Sequence, residues 1–545
     1  MSTTLERPVE RAPIGRAKER RFLGRSVDFW LCAGITSLVL IVQGWNIAGY
    51  PTVFDDEGTY LAQAWAINHG IGMAPYTYWF DHPPLGWIQI AALAWIPALI
   101  FHGTGVLVVA YARIVMLPFT VASSILLYVL ARRLTLPRWS AVLAVALFGL
   151  SPLSVTLQRE IFLDNIAVTW MLAAFVLAYS PRKHLWHHVA SGVCAGVAVL
   201  SKETMLLAVP ALVLALWQNA HRLTRKYTFV GFVGAFVLFI AAYPLYAILK
   251  GELYQGGGHV SLYNGITYQL TRPGSGSILN SGSNAYAVFH NWLYYDPVLI
   301  VAGTVSIILA LAFSHLRPVA LAGVVMVLLA IRPTGYLPAM YVIQMLPFFA
   351  IAIAGVAAQA VSFILTFRAR PILWQRVSRA ALVAVLVVIA AVNVVPRWIS
   401  RDRDADTQNL NRGYMAATAW IAKNIPHPGN QRIVVDDTLW LSMVNAGFKP
   451  GRYDIYFFKL DTDPDVDEAL HGVLGDVNGK FVDTDWKSIN YVIETPYMYE
   501  NASQAGIPIA YDALNHSKVV WYYGRFNPNS TAGKESDIEI RKVIP

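Results

Sequence analysis

The sequence is short of charge. Of its 545 residues only 14% are Asp, Glu, Lys or Arg, where soluble domains carry about 25%. Set beside 56% hydrophobic residues and a mean hydropathy of +0.46, that deficit excludes an ordinary water-soluble globule and points to lipid as the main solvent. Cysteine is nearly absent. Cys32 and Cys194 both lie inside apolar runs, so they give neither a disulfide framework nor a metal-ligand spacing. No internal repeat of the solenoid kind is present. The net charge of +9 is not the footprint of a nucleic-acid partner, because the Lys and Arg residues sit in short loops between apolar runs, as membrane topology requires.

Long apolar runs are what the chain does have. A span needs about 20 mainly apolar residues. Runs of that kind lie near 28–48, 106–130, 139–157, 165–181, 187–201, 204–219, 227–249, 297–314, 317–332, 337–363 and 378–398. Residues 1–27 form a basic tail with Arg16, Lys18, Arg20, Arg21 and Arg25, and the run after it reads as a signal-anchor. The loops with Arg132/Arg133/Arg138, Arg182/Lys183, Arg222/Arg225/Lys226 and Arg368/Arg370/Arg376/Arg379 are expected to be cytoplasmic, like the N-terminus. A span over Leu85–Phe101 would flip all the later basic loops outward, so that run is expected to lie on the outer surface as an amphipathic or re-entrant helix. This predicts an α-helical polytopic protein of the plasma membrane with about eleven transmembrane helices. Arg397, Arg401 and Arg403 then fall on the outer side, against the rule.

Residues 28–399 would form the membrane domain, with outer loops 49–105 and 250–296. The second of these, rich in Gly, Ser, Asn and Tyr, is long enough to act as a lid. From 400 to 545 no run is long enough to span. Strand-like stretches at Arg432–Val435, Asn490–Ile493, Val519–Tyr523 and Ile538–Val543, with helical patterning at Arg412–Asn424 and Asp465–Leu474, predict an extracytoplasmic α/β domain.

On this topology the ionisable clusters share one face. Asp55, Asp56, Glu57, Asp81 and His82 lie in the first outer loop, and Arg113 is about two turns into the second span. Gln158, Arg159, Glu160 and Asp164 lie at one outer junction and Lys202 with Glu203 at another. Tyr336, Tyr341 and Gln344 start the tenth span. An ion-coupled transporter would put such groups near the bilayer midplane, so the pattern describes a reaction site at a membrane surface. Taken singly, each group has a plainer explanation: a helix-capping carboxylate, a proline-led helix start, a snorkelling lysine.

Asp56-Glu57-Gly58-x-Tyr60 followed by His82-Pro83-Pro84-Leu85-Gly86 resembles the protein O-mannosyltransferase and lipid A aminoarabinose transferase group, glycosyltransferases of GT-C fold. Arg113, the Arg159–Asp164 stretch and Ser201-Lys202 fit the same pattern. Tyr341-Val-Ile-Gln-Met-Leu-Pro347 resembles the family's Arg-Tyr-x-x-Pro-x-x-Pro stretch, with Met340 where an Arg is usual and Gln344 where a Pro is usual. The resemblance covers roughly residues 28–400 and implies transfer of a sugar, mannose or a pentose, from a polyprenyl-phosphate donor to an acceptor on the outer face, with inversion. The acceptor, which the sequence does not fix, would be a protein, a lipid or a glycan. A phosphate leaving group needs cations more than an acid, which makes His82, Arg113, Arg159 and Lys202, with Tyr60 and Tyr341, the candidates for donor binding. Asp56 is the candidate general base, with Asp55 its rival. Glu57 and Asp164 would orient it or hold the acceptor. Asp55, Asp56, Glu57 and Asp164 would also suit a divalent ion such as Mg or Mn, but the resemblance implies none firmly, and no cofactor is assigned. Two other readings stay open: a transporter or flippase of a lipid-linked substrate, and a membrane-anchored binding protein using Asp436-Asp437-Thr438. Sequons at Asn501, Asn515 and Asn529 matter only in a eukaryotic secretory host.

Overall fold

The computed structural model describes residues 21–22, 25–71, 80, 82–101, 103–254, 261–366, 373–450, 453–460, 486–498, 508–524 and 537–544. Arg16, Lys18, Arg20, Arg368, Arg370, Asp81, the expected helix at Asp465–Leu474 and the sequons at Asn501 and Asn529 lie outside them.

Helices dominate. The first, α1 (Val27–Gly44), starts at Ser26, whose hydroxyl accepts the Phe29 N–H at 3.2 Å. Two helices follow in the loop beyond it, α2 (Asp55–Asn68) and α3 (Leu85–Leu93), and α3 meets a short α4 (Trp95–Ile100) at Ala94. Next comes α5 (Val108–Arg133), tightened to a 3-10 turn at Arg113–Met116. Five shorter pieces continue the chain: α6 (Arg138–Leu150), α7 (Pro152–Leu157), α8 (Leu163–Ala178), α9 (Leu185–Ser201) and α10 (Glu203–Asn219). After them come α11 (Arg225–Lys250), α12 (Leu262–Thr271), α13 (Asn284–Tyr295), α14 (Pro297–Ala310), α15 (Arg317–Ala330), α16 (Ala339–Thr366) and α17 (Leu373–Thr407). Each of the eleven expected segments holds a helix. Among the described residues, five helical segments are long and apolar enough to cross a membrane: α1, α5, α11, α16 and the segment Val377–Asn424. The α13–α14 pair, bent by 104° at Asp296, makes a sixth if counted as one span. The others, α3–α4 included, are shorter.

The bundle packs neighbouring and sequence-distant helices together, with α9 between α8 and α11, α14 against α16, and α6 against α1, α5 and α16. Its outward faces stay apolar and exposed, as at Leu238, Leu249 and Val392, because lipid rather than protein covers them. Helix α17 runs past residue 400 to Thr407 without a break, so the chain turns about two helical turns later than its composition suggests.

Beyond α17, α18 (Arg412–Asn424) leads into a five-stranded sheet of β1 (Ile433–Val435), β2 (Asp454–Tyr456), β3 (Tyr491–Glu494), β4 (Ser517–Tyr523) and β5 (Ile538–Val543), in the order β2-β1-β3-β5-β4. β1 pairs in parallel with both β2 and β3, while β5 runs antiparallel to β3 and β4. β2 is the strand the sequence did not announce. Helices α19 (Asp437–Asn445) and α20 (Pro508–Asn515) complete this part. All three residues of β1 are buried, as a strand in the parallel part of a sheet must be.

Candidate active site

Helix α2 organises the site, and Glu57 fixes where it begins. Its carboxylate accepts the backbone N–H of Phe54 at 2.9 Å, closing the first turn, and also that of Ile161 at 2.9 Å. The same oxygens receive Arg113 Nε at 2.8 Å and Nη2 at 2.6 Å. Arg113 spends its remaining donors on the carbonyls of Pro51 and Thr52, at 2.6 and 3.0 Å. Both side chains are fully buried. A guanidinium in the interior needs a planar, bidentate partner, and Glu57 supplies it.

The residues preceding Glu57 face a different environment. Asp55 and Asp56 are half-buried. The Tyr497 hydroxyl donates to Asp55 at 2.6 Å, yet burial still pushes the Asp55 carboxyl above its usual range. Glu160, buried next to Glu57, is held well above the carboxylate range for the same reason. Tyr336 lies within electrostatic reach of Asp55 and Asp56, and the Arg272 guanidinium stacks 3.4 Å above the Tyr336 ring. Here the second long loop touches the site. Ser275 donates its N–H to the Gly335 carbonyl at 2.9 Å, so the described part of that loop is fastened beside the acidic end of α2.

One turn further along α2, Tyr60 meets the second half of the site. Residues four apart share a helix face and are about 6 Å apart along the axis, so Tyr60 points the same way as Asp56. Its buried ring stands edge-on to His82, centroids 5.9 Å apart. His82 is held on both sides, with Nδ1 3.1 Å from Glu203 and Nε2 3.0 Å from Lys202 Nζ. A lysine can only donate, so Nε2 is the accepting nitrogen and Nδ1 carries the proton toward Glu203. Asp164, at the start of α8, lies within electrostatic reach of Lys202, Glu203 and His82. Gln344, buried near the start of α16, donates from Nε2 to Asp164 Oδ1 and to Thr204 Oγ1, both at 2.6 Å.

The C-terminal sheet region is part of this construction. Gly58 makes the contact possible: a Cβ there would lie 1.9 Å from the Asp437 carbonyl oxygen. The adjacent Thr59 hydroxyl donates to the Asp437 carboxylate at 2.5 Å. Asn411 accepts the Val53 N–H at 2.9 Å and donates to the carbonyls of Ala48 and Pro51 at 2.8 and 3.0 Å. Thus α19, Asn411 and Tyr497 set the position of α2 from one side and Arg113 sets it from the other. Asp436 caps α19 by accepting the Leu439 N–H, so the Asp-Asp-Thr stretch starts a helix.

The nine residues assigned from sequence therefore divide. Asp56, Tyr60, His82, Lys202 and Asp164 lie along one connected surface. Glu57 and Arg113 are turned to each other. Arg159 is buried, donates to the Val42 carbonyl at 2.6 Å and lies near Asp402 and Asp406 of α17. The Tyr341 hydroxyl donates to the Met326 carbonyl at 3.3 Å. Sequence reasoning gave no role to Glu203, Thr204 or Tyr497. Glu203 was marked by its neighbour Lys202, whereas Tyr497 carries no local signal. Among the described residues no group of three His, Cys, Asp or Glu side chains is placed to hold a metal ion. A cavity of about 380 Å³ lies along a different face of α2, lined by Leu61, Trp65, Tyr111 and Leu441, away from these groups.

Residues 81–244 match the family model described as Dolichyl-phosphate-mannose-protein mannosyltransferase. No curated protein matches the chain in sequence. Among solved structures it is similar to ArnT from Cupriavidus metallidurans bound to undecaprenyl phosphate, at 14% identity over 95% of this chain and 98% of that one, with a TM-score of 0.52. It is also similar to the archaeal oligosaccharyltransferase AglB from Archaeoglobus fulgidus in complex with an inhibitory peptide and a dolichol-phosphate, at 12% identity over 91% of this chain and 73% of that one, with a TM-score of 0.53. At such identities the two structures speak for the fold alone: the chain has the GT-C fold of these membrane proteins, and its residues 81–244 are similar to the dolichyl-phosphate-mannose-protein mannosyltransferase family.

Proposed function

We propose that the chain moves a sugar, mannose or a pentose, from a polyprenyl-phosphate donor to an acceptor hydroxyl on the outer face of the membrane, inverting the anomeric centre, with Asp56 as general base. The protein crosses the membrane about eleven times, with the N-terminus inside and residues from about 408 onward outside. The lipid tail of the donor stays in the bilayer and its phosphate sits at the interface. Lys202 carries the charge that stabilises the departing phosphate, and Glu203 holds His82 beside it. Glu57–Arg113 and Arg159 position the backbone around α2. The acceptor is a protein, lipid or glycan hydroxyl brought to Asp56.

The observation that carries this reading is the placement of Asp56 and Tyr60 on one face of α2, with Tyr60 against the Glu203–His82–Lys202 array. This supports a base and a phosphate-binding cation acting on the same donor. Asp55 is the weaker candidate for base, being bound to Tyr497 and pushed toward its neutral form. The test is Asp56→Asn in the host cell, with lipid-linked sugars and envelope glycans compared against the unaltered protein. We expect transfer to fall by about 10²–10⁴-fold with the membrane level of the protein unchanged. Full transfer in that variant would remove the assignment.

A further inference from the structure

Gln344 and Asp164 form a fixed pair with two hydrogen-bond acceptors left over. Gln344 Nε2 lies 2.6 Å from both Asp164 Oδ1 and Thr204 Oγ1. An amide turned the other way would set its oxygen against a carboxylate, so Asp164 fixes the orientation. The side chain cannot rotate to find other partners. Gln344 Oε1 and Asp164 Oδ2 are both buried without a partner among the described residues. Buried acceptors are costly unless something donates to them, and this pair lies beside Lys202 and His82. The flanking Thr204, Glu203 and Lys202 are consecutive in the chain.

We infer that Gln344 and Asp164 are the subsite that reads the donor sugar, accepting hydrogen bonds from two of its ring hydroxyls while Lys202 holds the phosphate. This rests on the glycosyltransferase reading above and narrows it. The sugar presents free hydroxyls to α16, where Gln344 Oε1 and Asp164 Oδ2 accept. Gln344 then sets specificity, and its contribution is confined to the sugar half of the donor.

The experiment measures binding, so no acceptor is required. The full chain in lipid nanodiscs is titrated with polyprenyl phosphate alone and with polyprenyl phosphate bearing mannose or arabinose. In the unaltered protein the better of the two sugar donors binds more tightly than the bare phosphate. In Gln344→Leu the sugar donor weakens by about ten-fold or more, while affinity for the bare phosphate is unchanged. Lys202→Met weakens both ligands together. If Gln344→Leu leaves the sugar donor's affinity unaltered, the subsite is wrong although the glycosyltransferase reading stands. If the unaltered chain binds neither the phosphate nor any sugar donor, that reading is wrong as well. Should Gln344→Leu lose bare-phosphate binding through misfolding, single-deoxy sugar donors on the unaltered chain decide: at least two deoxy positions weaken binding by a similar factor, and no effect at any position overturns the inference.

Discussion

Replacing Glu57 with Ala separates a positioning role from a chemical one. In the folded protein the Glu57 carboxylate receives four hydrogen bonds, from Arg113 Nε and Nη2 and from the N–H groups of Phe54 and Ile161. Removing it leaves Arg113 fully buried with only carbonyl partners. Breaking one side of a buried ion pair costs about 3–5 kcal/mol. Each orphaned buried N–H adds about 1–3 kcal/mol, although Phe54, at the more open edge, recovers part of its share from water. The sum is at least about 5 kcal/mol, enough to lower the apparent melting temperature by roughly 4 °C in a chain of this size. The assay is thermal unfolding of the purified protein in detergent at a fixed heating rate, run beside donor binding. We expect a drop in melting temperature of about 4 °C or more for Glu57→Ala, with Glu57→Gln intermediate because one oxygen still accepts. If Glu57→Ala melts with the unaltered protein yet has lost transfer, Glu57 belongs to the chemistry and the positioning argument fails.

Other outcomes follow from the docking of the C-terminal part. Gly58→Ala places a methyl group against the Asp437 backbone, which cannot yield as a side chain would. It should cost about 3 kcal/mol or more and expose residues 412–544 to limited proteolysis; an unchanged digestion pattern would show that the contact is not tight. Burial, opposed by Arg541, lifts the Glu494 carboxyl to about 7 from an ordinary 4.5. The folded state therefore holds a proton that the unfolded state releases, and stability falls as pH rises from about 4.5 through about 7. Glu494→Gln should flatten that decline in melting experiments between pH 5 and 7.5, and an identical slope in both proteins would argue against it.

How far the sequence led depends on the range of the signal. Apolar helices were legible at all eleven runs because long apolar stretches have few other uses, although among the described residues only five or six of them are long enough to cross a membrane. Helix α18 and strand β5 were legible from periodicity and β-branched content, and both fall where the pattern puts them. β2 was hidden because three residues, one of them Asp454, are too few to show alternation. The break after α17 was misplaced since arginines and aspartates signal water but do not end a helix, and α17 extends beyond its apolar part. At the site, residue types were legible while their partners were not. Arg113 reads equally well as a phosphate ligand or as the mate of a carboxylate, and only the fold brings Glu57 to it. Glu203 and Lys202 are adjacent, so that signal was present and unused. Tyr497 lies 442 residues from Asp55, a separation at which a single sequence is silent.

The spacing along α2 bears on the stereochemistry proposed above. A double-displacement route needs a nucleophile touching the anomeric carbon while a second carboxyl stands about 5 Å away to serve as acid and base, as in retaining glycosidases. A single displacement needs the base and the departing phosphate on opposite sides of the sugar, with the acceptor oxygen between base and carbon. Asp56 is about 6 Å along the helix from Tyr60, and His82 lies another 5.9 Å beyond the Tyr60 ring. Lys202 is next to His82, so the phosphate-binding end lies beyond Tyr60 from Asp56. The carboxyls nearest Asp56 do not fill the other role. Asp55 is occupied by Tyr497, Glu160 is buried and held toward its neutral form, and Glu57 is committed to Arg113. With Asp56 as the base at this end and the cation at the other, the arrangement favours inversion. Product from the unaltered enzyme should therefore carry the opposite anomeric configuration to the donor, read by NMR of the transferred sugar, and retention would mean that a second carboxylate reaches the anomeric carbon.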